Sequence, residues 1–563
     1  MASGTPVVAR WRPTLSVEAL ILLASLAFAA AYNGALWKLL FGTSDLTDPG
    51  KLALLAGLFL VVVCVQFAGL ALLLTRRTVK PVLALLFLCT ALASFYMDRY
   101  TVFLNPEMLR NILRTDPAEA GELLTGSLIP QLLLYAAIPI ALLVWTRVQS
   151  RPLGRSILIR SGGIVVALLV AGLALFVQYK DAASLLRNHR EARDLVTPTN
   201  YLSALFRISR DAVAAPPGAA RPIALDAHRL MRAGTGRKPT LLVLAIGETA
   251  RSANFGLSGY ARQTTPELAQ LDLLVYPRVQ ACGTSTEVSL PCMFAPIGRR
   301  DYDEKRIRSE ESLLHVLNRV GVEVLWIDNQ SGCKGVCAGL VQERIPGDAD
   351  PAFCDGERCL DGILLPRLEA AVQASSGDLV VVLHMLGNHG PAYSRRYPPE
   401  FRKFVPTCES LELSDCSQAE IVNAYDNALL YTDHVLASLI RYLESRSGRD
   451  AGLIYVSDHG ESLGESGFYL HGLPYRIAPA VQREVPMLVW LSAGLRQSAG
   501  LNPDCLQQGV KGDVAHDHLF HSVLGLLDVA TLVREPALDL FSPCRGGGGT
   551  SLAAHVPAGG APS

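Results

Sequence analysis

At 563 residues the chain exceeds one ordinary domain, and half of those residues are hydrophobic, with a positive mean hydropathy. Lys and Arg together number 51, as do Asp and Glu, so the formal net charge is zero. That balance leaves no electrostatic footprint for nucleic acid, and no nucleic-acid partner is expected.

Most of the apolar excess lies before residue 180, in five stretches at 17–41, 52–75, 81–97, 128–146 and 161–179. A helix needs about 20 residues to cross a bilayer, and these read as five spans. Four further spans behind the first, and the lack of a cleavage pattern, argue against a signal peptide. Basic residues orient the set. Arg10 and Arg12 precede the first span; Arg76, Arg77 and Lys80 separate the second and third; Arg147, Arg151 and Arg155 separate the fourth and fifth. Those segments are expected on the cytoplasmic side, with the N-terminus, and loops 42–51 and 98–127 on the outer side. An odd number of spans then delivers everything after residue 180 outward. Within the second outer loop, 100–124 has helical spacing of apolar residues, which suits a packed connector or a helix lying along the membrane surface.

The domains expected are a five-span membrane domain at 1–180, a linker with a bridging helix at 181–237, a catalytic domain at 238–545 and a disordered tail at 546–563. In the linker, 180–193 reads as a charged helix and 214–222 as a Pro/Ala-rich break. Beyond it, apolar runs at 240–246, 322–327, 378–384, 452–457 and 485–491 alternate with helical patterns at 308–320, 361–373 and 419–446. Such alternation predicts a doubly wound α/β domain with a mostly parallel sheet, joined here to a multi-pass helical membrane domain. The tail is Gly-, Ala- and Pro-rich and has no means of burying a core.

The cysteines follow the same division. Cys64 and Cys89 lie inside spans and are expected to be unpaired. The other ten fall in the exported part, where an even count reads as disulfides. Adjacency favours Cys282 with Cys292, Cys333 with Cys337, Cys354 with Cys359 and Cys408 with Cys416, leaving Cys505 and Cys544; sequence does not fix the connectivity. The rival, a zinc site at Cys333 and Cys337, requires thiols that an oxidising compartment would not keep reduced.

In open α/β sheets chemistry collects beyond the carboxyl ends of the strands. Glu248 follows the run 240–247, and Asp458 and His459 follow the run 453–457. Together they offer a divalent metal two oxygen donors and one nitrogen, and zinc favours about four such ligands. The stretch Cys282-Gly-Thr-Ser-Thr-Glu-Val-Ser-Leu-Pro-Cys292 adds a hydroxyl, which a metal would turn into a nucleophile near neutral pH. Thr284, Ser285 and Thr286 compete for that role, and spacing alone does not choose. Gly283 permits a tight turn, and a helix beginning near Val288 would favour an anion at its N-terminus. His384 and His389, His471, and Lys334 lie on further loops beyond strands; the His residues beside glycines are candidates for substrate or second-metal contact. Glu461 and Glu465 read as polar loop residues, and His516, His518 and His521 as residues of a helix that either pack or support the site from behind its ligands.

These residues form long, ordered motifs. Gly247-Glu-Thr-Ala-Arg-Ser-Ala-Asn-Phe-Gly-Leu-Ser-Gly-Tyr260, Cys282–Phe294, Asn388-His-Gly-Pro391, Asn423-Ala-Tyr-Asp-Asn427 and Ser457-Asp-His-Gly-Glu-Ser-Leu-Gly464 closely resemble the lipid A phosphoethanolamine transferases, the family that includes the colistin-resistance enzymes and belongs to the alkaline phosphatase and sulfatase superfamily. The resemblance spans nearly the whole chain. It implies a multi-pass protein of the bacterial inner membrane, monomeric, with its catalytic domain in the periplasm. It implies Thr286 as the nucleophile that takes phosphoethanolamine from phosphatidylethanolamine as a phosphothreonine, then yields it to a phosphate of lipid A. It further implies Glu248, Thr286, Asp458 and His459 as ligands of one tightly bound zinc. His389 and His471 resemble residues contacting the phosphoryl group or a second zinc, and Lys334 and His384 resemble neighbouring site residues. It also supports local disulfides. Alternatives are transfer to another surface glycan, or a zinc phosphodiesterase or sulfatase-like hydrolase; the Cys/Ser-x-Pro-x-Arg setting of sulfatases does not surround Thr286. A transporter or receptor with an inert exported domain leaves the strand-end ligand set without purpose.

Overall fold

The computed structural model of the chain describes residues 12–42, 48–115, 117–214, 220–230, 238–510 and 512–546. Arg10, residues 43–47 of loop 42–51, the centre of the Pro/Ala-rich break and the tail beyond Gly546 lie outside the described residues. The chain forms two compact units: Met1–Pro216 with the returning segment Gly464–Ile477, and Pro217–Leu463 with Ala478–Ser563.

The first unit is helical. α1 (Val17–Ala31) and α2 (Gly34–Phe41) make one span bent by 51°, followed by α3 (Pro49–Leu73), α4 (Val79–Tyr100), the short amphipathic α5 (Pro106–Arg114), α6 (Leu128–Trp145), α7 (Leu153–Val177), α8 (Tyr179–Asn188) and α9 (Thr199–Ala214). Among the described residues four helices are long and apolar enough to cross a membrane, or five when the bent pair is counted as one span. The expected third and fifth spans run longer than hydropathy alone suggests. Val79 and Lys80 extend α4, and α7 begins at Leu153, ahead of Arg155 and Arg160.

Side chains account for the irregularities. At the α1–α2 break, Asn33 Nδ2 donates to the carbonyls of Phe28 (2.7 Å) and Thr197 (3.0 Å), and Trp37 Nε1 donates to the Ala29 carbonyl at 2.8 Å. Side-chain donors at the break thus bond carbonyls of the last turns of α1 and of the linker. α6 contains a π-helical turn at Leu133–Ala137, and Pro139 has no N–H to give the Tyr135 carbonyl. The Tyr32 hydroxyl donates to that carbonyl instead, at 2.6 Å. Lys80 Nζ reaches the carbonyls of Val144 and Thr146 at the C-terminal end of α6. Thr197 ties the linker to the spans: its carbonyl also accepts from Gln66 Nε2 at 2.7 Å, and its N–H donates to Asn33 Oδ1 at 2.9 Å.

The second unit is built on an eight-stranded sheet. In chain order its strands are β1 (Thr240–Gly247), β2 (Leu274–Gln280), β3 (Glu323–Asp328), β4 (Gln342–Arg344), β5 (Leu379–His384), β6 (Asp450–Ser457), β7 (Glu484–Leu491) and β8 (Val514–Ala515), in the spatial order β8-β2-β7-β6-β1-β5-β3-β4. β7 alone runs antiparallel to its two neighbours; every other pairing is parallel. The central strands β1, β5 and β6 are buried along their whole length, as near-continuous Val/Leu/Ile runs require when helices cover both faces.

Two features of the sheet go beyond the apolar runs read from the sequence. The sheet includes β2, which the sequence does not announce because Pro277 interrupts its apolar run. The register shifts there, with Pro277 and Arg278 set against Pro486 of β7, so a bulge accommodates residues that cannot donate to the ladder. The fifth expected run is the antiparallel strand.

Register aligns the chemistry. Gly247 pairs with Ser457, Ile246 with His384, and Asp328 with His384, so β1, β3, β5 and β6 all end at one edge of the sheet. β2 runs the same way and delivers Ala281 and the Cys282 loop to that edge.

Five disulfides join Cys282–Cys292, Cys333–Cys337, Cys354–Cys359, Cys408–Cys416 and Cys505–Cys544, and Cys64 and Cys89 are free. The last bridge spans 39 residues and the Cys333–Cys337 bridge only 4. If the constraint on the unfolded chain dominates, Cys505→Ala/Cys544→Ala costs about 4 kcal/mol and Cys333→Ala/Cys337→Ala about 2 kcal/mol. Chemical denaturation of the two variants measures the order, and equal losses would contradict the loop-length argument.

Candidate metal centre

Glu248 is the first residue after β1, and Asp458 and His459 are the first two after β6. All three are completely buried. Among the described residues they are the one set of His, Cys, Asp and Glu side chains whose ligand atoms converge, within 4.8 Å of one another. His459 Nε2 lies 3.2 Å from Glu248 Oε1 and 3.3 Å from Asp458 Oδ2.

Thr286 opens helix α10 (Thr286–Met293), with Ser285 extended at the cap position. Its hydroxyl lies 3.0 Å from Glu248 Oε2, 3.2 Å from Glu248 Oε1 and 3.3 Å from His459 Nε2. Of the three competing hydroxyls, Thr286 is the one whose oxygen faces both Glu248 and His459. The loop before it is drawn tight: a Cβ on Gly283 would stand 2.7 Å from Val288 Cγ1 and 2.9 Å from the Ser289 nitrogen. The Cys282–Cys292 bridge ties the loop to the end of the helix.

The donor set fits a divalent cation. His459 Nδ1 faces the Gly460 carbonyl at 3.0 Å, which places its hydrogen on Nδ1 and leaves Nε2 as a lone-pair donor toward the carboxylates. Asp458 Oδ2 is buried and accepts no hydrogen bond, whereas Oδ1 accepts from the His459 and Thr249 N–H groups. Without a cation, the charges strain against burial. Burial and then the Glu248 carboxylate push Asp458 up. Burial alone would depress His459, but the Asp458 and Glu248 carboxylates outweigh it and drive the imidazole well above its ordinary value. Buried carboxylates this close demand positive charge.

The remaining expected site residues are placed as follows. His384 is the last residue of β5; its Nδ1 faces Asp328 Oδ1 at 2.6 Å, and its buried Nε2 has no hydrogen-bond partner. His389 lies in the loop beyond β5, its carbonyl accepting from Arg396 Nε at 2.7 Å. Lys334 sits within the Cys333–Cys337 bridge, its backbone at φ 49°, and its ammonium donates to the Ser331 carbonyl and hydroxyl at 3.1 and 2.8 Å. His471 is carried by Gly464–Ile477, the segment that belongs to the first unit.

The centre also enlists residues that sequence patterning did not single out. Gln330, two residues past β3, donates through Nε2 to Glu248 Oε2 at 3.1 Å. Ser289, one turn after Thr286, donates to the Asp458 carbonyl. His516, read from the sequence as a packing or supporting residue, bridges the Cys282 loop and β6. Its Nδ1 accepts from the Cys282 N–H at 3.1 Å, and its Nε2 faces the Ser457 carbonyl at 3.0 Å. The spacing Thr286-x-x-Ser289 on one helix face was a readable signal for Ser289; no sequence signal marks His516.

Comparison with known proteins agrees over both units. Residues 62–213 match the family model described as phosphoethanolamine transferase EptA/EptB, and residues 240–529 match that of the sulfatases. The chain is 36% identical to phosphoethanolamine transferase EptA of Escherichia coli (strain K12), over 95% of this chain and 98% of that protein. It is 35% identical to the Escherichia coli phosphatidylethanolamine transferase Mcr-1, over 91% of this chain and 96% of that one. Among solved structures, the integral membrane lipooligosaccharide phosphoethanolamine transferase EptA from Neisseria meningitidis superposes with a TM-score of 0.90, at 34% identity, over 95% of this chain and 99% of that chain.

His516→Leu removes the bridge while leaving Glu248, Asp458, His459 and Thr286 intact. Stranding the buried Cys282 N–H and Ser457 carbonyl is expected to cost about 1–3 kcal/mol for each group. Thermal unfolding checks this, and an unchanged midpoint would show that water or a shifted neighbour satisfies both.

Proposed function

The chain belongs to the phosphoethanolamine transferase family, and we propose on that ground that it moves phosphoethanolamine from phosphatidylethanolamine to a phosphate group of lipid A by way of Thr286. The observation that carries this reading is the Thr286 hydroxyl standing 3.0 Å from Glu248 Oε2 and 3.3 Å from His459 Nε2 in a buried pocket.

Zinc held by Glu248, Asp458, His459 and Thr286 Oγ1 would supply the charge that lowers the hydroxyl's pKa and offsets the negative charge of the phosphoryl group. The chain's own groups do the rest. Glu248 Oε2 accepts the Thr286 O–H and is the nearest place for its proton. In the first step Thr286 Oγ1 bonds to the donor phosphorus, and the bond from phosphorus to the diacylglycerol oxygen breaks; that oxygen leaves protonated. In the second, a lipid A phosphate oxygen bonds to phosphorus and the Oγ1–phosphorus bond breaks, restoring the hydroxyl. The N-terminal end of α10 presents backbone N–H groups beside the reacting oxygen, where anionic charge is favoured. Ser289, bonded to the Asp458 carbonyl, and the Cys282–Cys292 bridge fix the backbone that carries Thr286. His384, His389 and Lys334, on loops at strand ends, are assigned to the surroundings of the phosphoryl group by family resemblance.

The basic residues Arg76, Arg77, Lys80, Arg147, Arg151 and Arg155 support an orientation with the N-terminus cytoplasmic and the catalytic unit in the periplasm, anchored in the inner membrane. Both lipids of the proposed reaction are membrane components, so an anchored enzyme meets donor and acceptor without extracting either far from the bilayer.

Mass spectrometry of lipid A from cells expressing the chain should show a gain of one phosphoethanolamine, and Thr286→Ala should abolish it while the protein remains folded and membrane-bound. Retained modification in that variant would remove Thr286 from the mechanism. Stripping metal with a chelator should stop transfer and zinc should restore it; recovery with magnesium but not zinc would exclude the metal assigned here.

A further inference from the structure

Three residues separate Glu248 from the loop that follows β1, and their backbone is held almost entirely by side chains. Thr249 has φ 55°, a left-handed conformation that is an outlier for a β-branched residue. Its N–H lies 3.3 Å from Asp458 Oδ1, and the Ala250 N–H donates to Ser457 Oγ at 2.8 Å. Ser457 Oγ in turn donates to the His459 carbonyl at 3.0 Å. The turn therefore faces the metal-ligand segment of β6 directly.

Its other side is gripped by one phenol. Tyr425 lies on helix α11 (Gln418–Glu444) and is completely buried. Its hydroxyl donates to the Thr249 carbonyl at 2.7 Å and accepts from the Arg251 N–H at 2.9 Å. A single oxygen thus spans the turn from its first carbonyl to its last N–H. The ring is locked edge-on to Tyr393, with centroids 5.5 Å apart, and the Arg251 guanidinium lies 5.7 Å from its centre. Arg251 extends the clamp, donating from Nε to Asn254 Oδ1 at 2.7 Å and from its guanidinium to the Glu461 carbonyl at 3.0 Å. On the opposite flank the Glu248 carbonyl accepts from the Asn388 N–H at 3.0 Å. Glu248 is thus the one residue between a fixed strand and a turn that needs an external hold.

We propose that Tyr425 is a positioning residue of the transferase: its hydroxyl holds the left-handed turn at Thr249 and thereby keeps the Glu248 carboxylate in register with Asp458 and His459. The inference rests on reading those three as zinc ligands. A strained turn beside a ligand persists only when its surroundings over-determine it, and Tyr425 supplies two of the bonds that do so. Phenylalanine keeps the ring and its packing but can neither donate nor accept, so Tyr425→Phe removes the hold with little change of shape.

The test uses the full-length enzyme in detergent, with zinc retention measured against a graded chelator series. Tyr425→Phe should hold zinc roughly 10–100-fold more weakly than wild type, as loss of a partner that orients a ligand does. Its kcat should fall with little change in KM for the donor lipid. Because glycine adopts a positive φ without strain, adding Thr249→Gly to Tyr425→Phe should recover part of the lost zinc affinity. Zinc affinity in Tyr425→Phe within about twofold of wild type would overturn the proposal, since such partners ordinarily contribute far more. Wild-type enzyme that retains no zinc would instead overturn the metal reading on which it stands. Should Tyr425→Phe alone not fold, the double variant should fold where it does not; failure of the double variant while Thr249→Gly folds would also overturn the role given to the turn.

Discussion

Two carboxylates and an imidazole, all withdrawn from water, meet in this protein, with the imidazole little more than 3 Å from each carboxylate. Burying one unpaired carboxylate already carries a penalty of several kcal/mol, and placing a second beside it adds repulsion that a dry pocket does little to screen. The arrangement is tolerable when positive charge resides among the donors. That requirement explains the details nearby. Glu248 Oε2 accepts from the Gln330 amide, Asp458 Oδ1 from backbone N–H groups, and the Thr286 hydroxyl points at both Glu248 and His459. Each contact disposes of part of the negative charge, and none introduces a competing cation.

The sheet makes this convergence possible. Parallel strands end together, so residues far apart in sequence emerge side by side; Gly247 and Ser457 are register partners, and the residues that follow them converge as candidate ligands. β7 is the exception that lets β2 join the same edge: two successive antiparallel pairings restore the direction, and the Cys282 loop arrives beside Glu248. Prolines on both partners at the bulge show that the pairing bears local irregularity without loss of direction.

Much of this was legible beforehand, for identifiable reasons. The runs at 240–247 and 450–457 are unbroken and doubly buried, so their ends and the acidic residues behind them could be located from hydropathy. The membrane spans were legible on the same ground, though Asn33, Pro139 and the charged first turn of α7 shifted or bent them in ways that depend on tertiary partners. β2 was hidden because Pro277 lies within it and only a bulge opposite Pro486 makes it a strand. Spacing could not distinguish Thr286 from Thr284 and Ser285, because which hydroxyl faces Glu248 depends on where the helix starts; the proposal of Thr286 rests on family resemblance. The contacts of His516 and Gln330, and the part Tyr425 plays within its motif, were not legible because nothing in the sequence distinguishes a packing residue from one that bonds a neighbouring segment.

Those three residues share a property that bears on why they stand where they do. Burial holds His516 down near about 4, so the imidazole is neutral, accepting from Cys282 and donating to Ser457. Burial drives Tyr425 well above its ordinary value, so its hydroxyl remains both donor and acceptor. Gln330 carries no charge at all. A charged residue in any of these places would hold the backbone equally well, but it would alter the potential at the ligands. A second cation would weaken binding of a metal, and a further anion would raise the cost of an approaching phosphate diester. Neutral bridges separate two tasks that charge would couple: they fix geometry to within a hydrogen bond, and they leave the electrostatic balance to the ligands and whatever cation they hold.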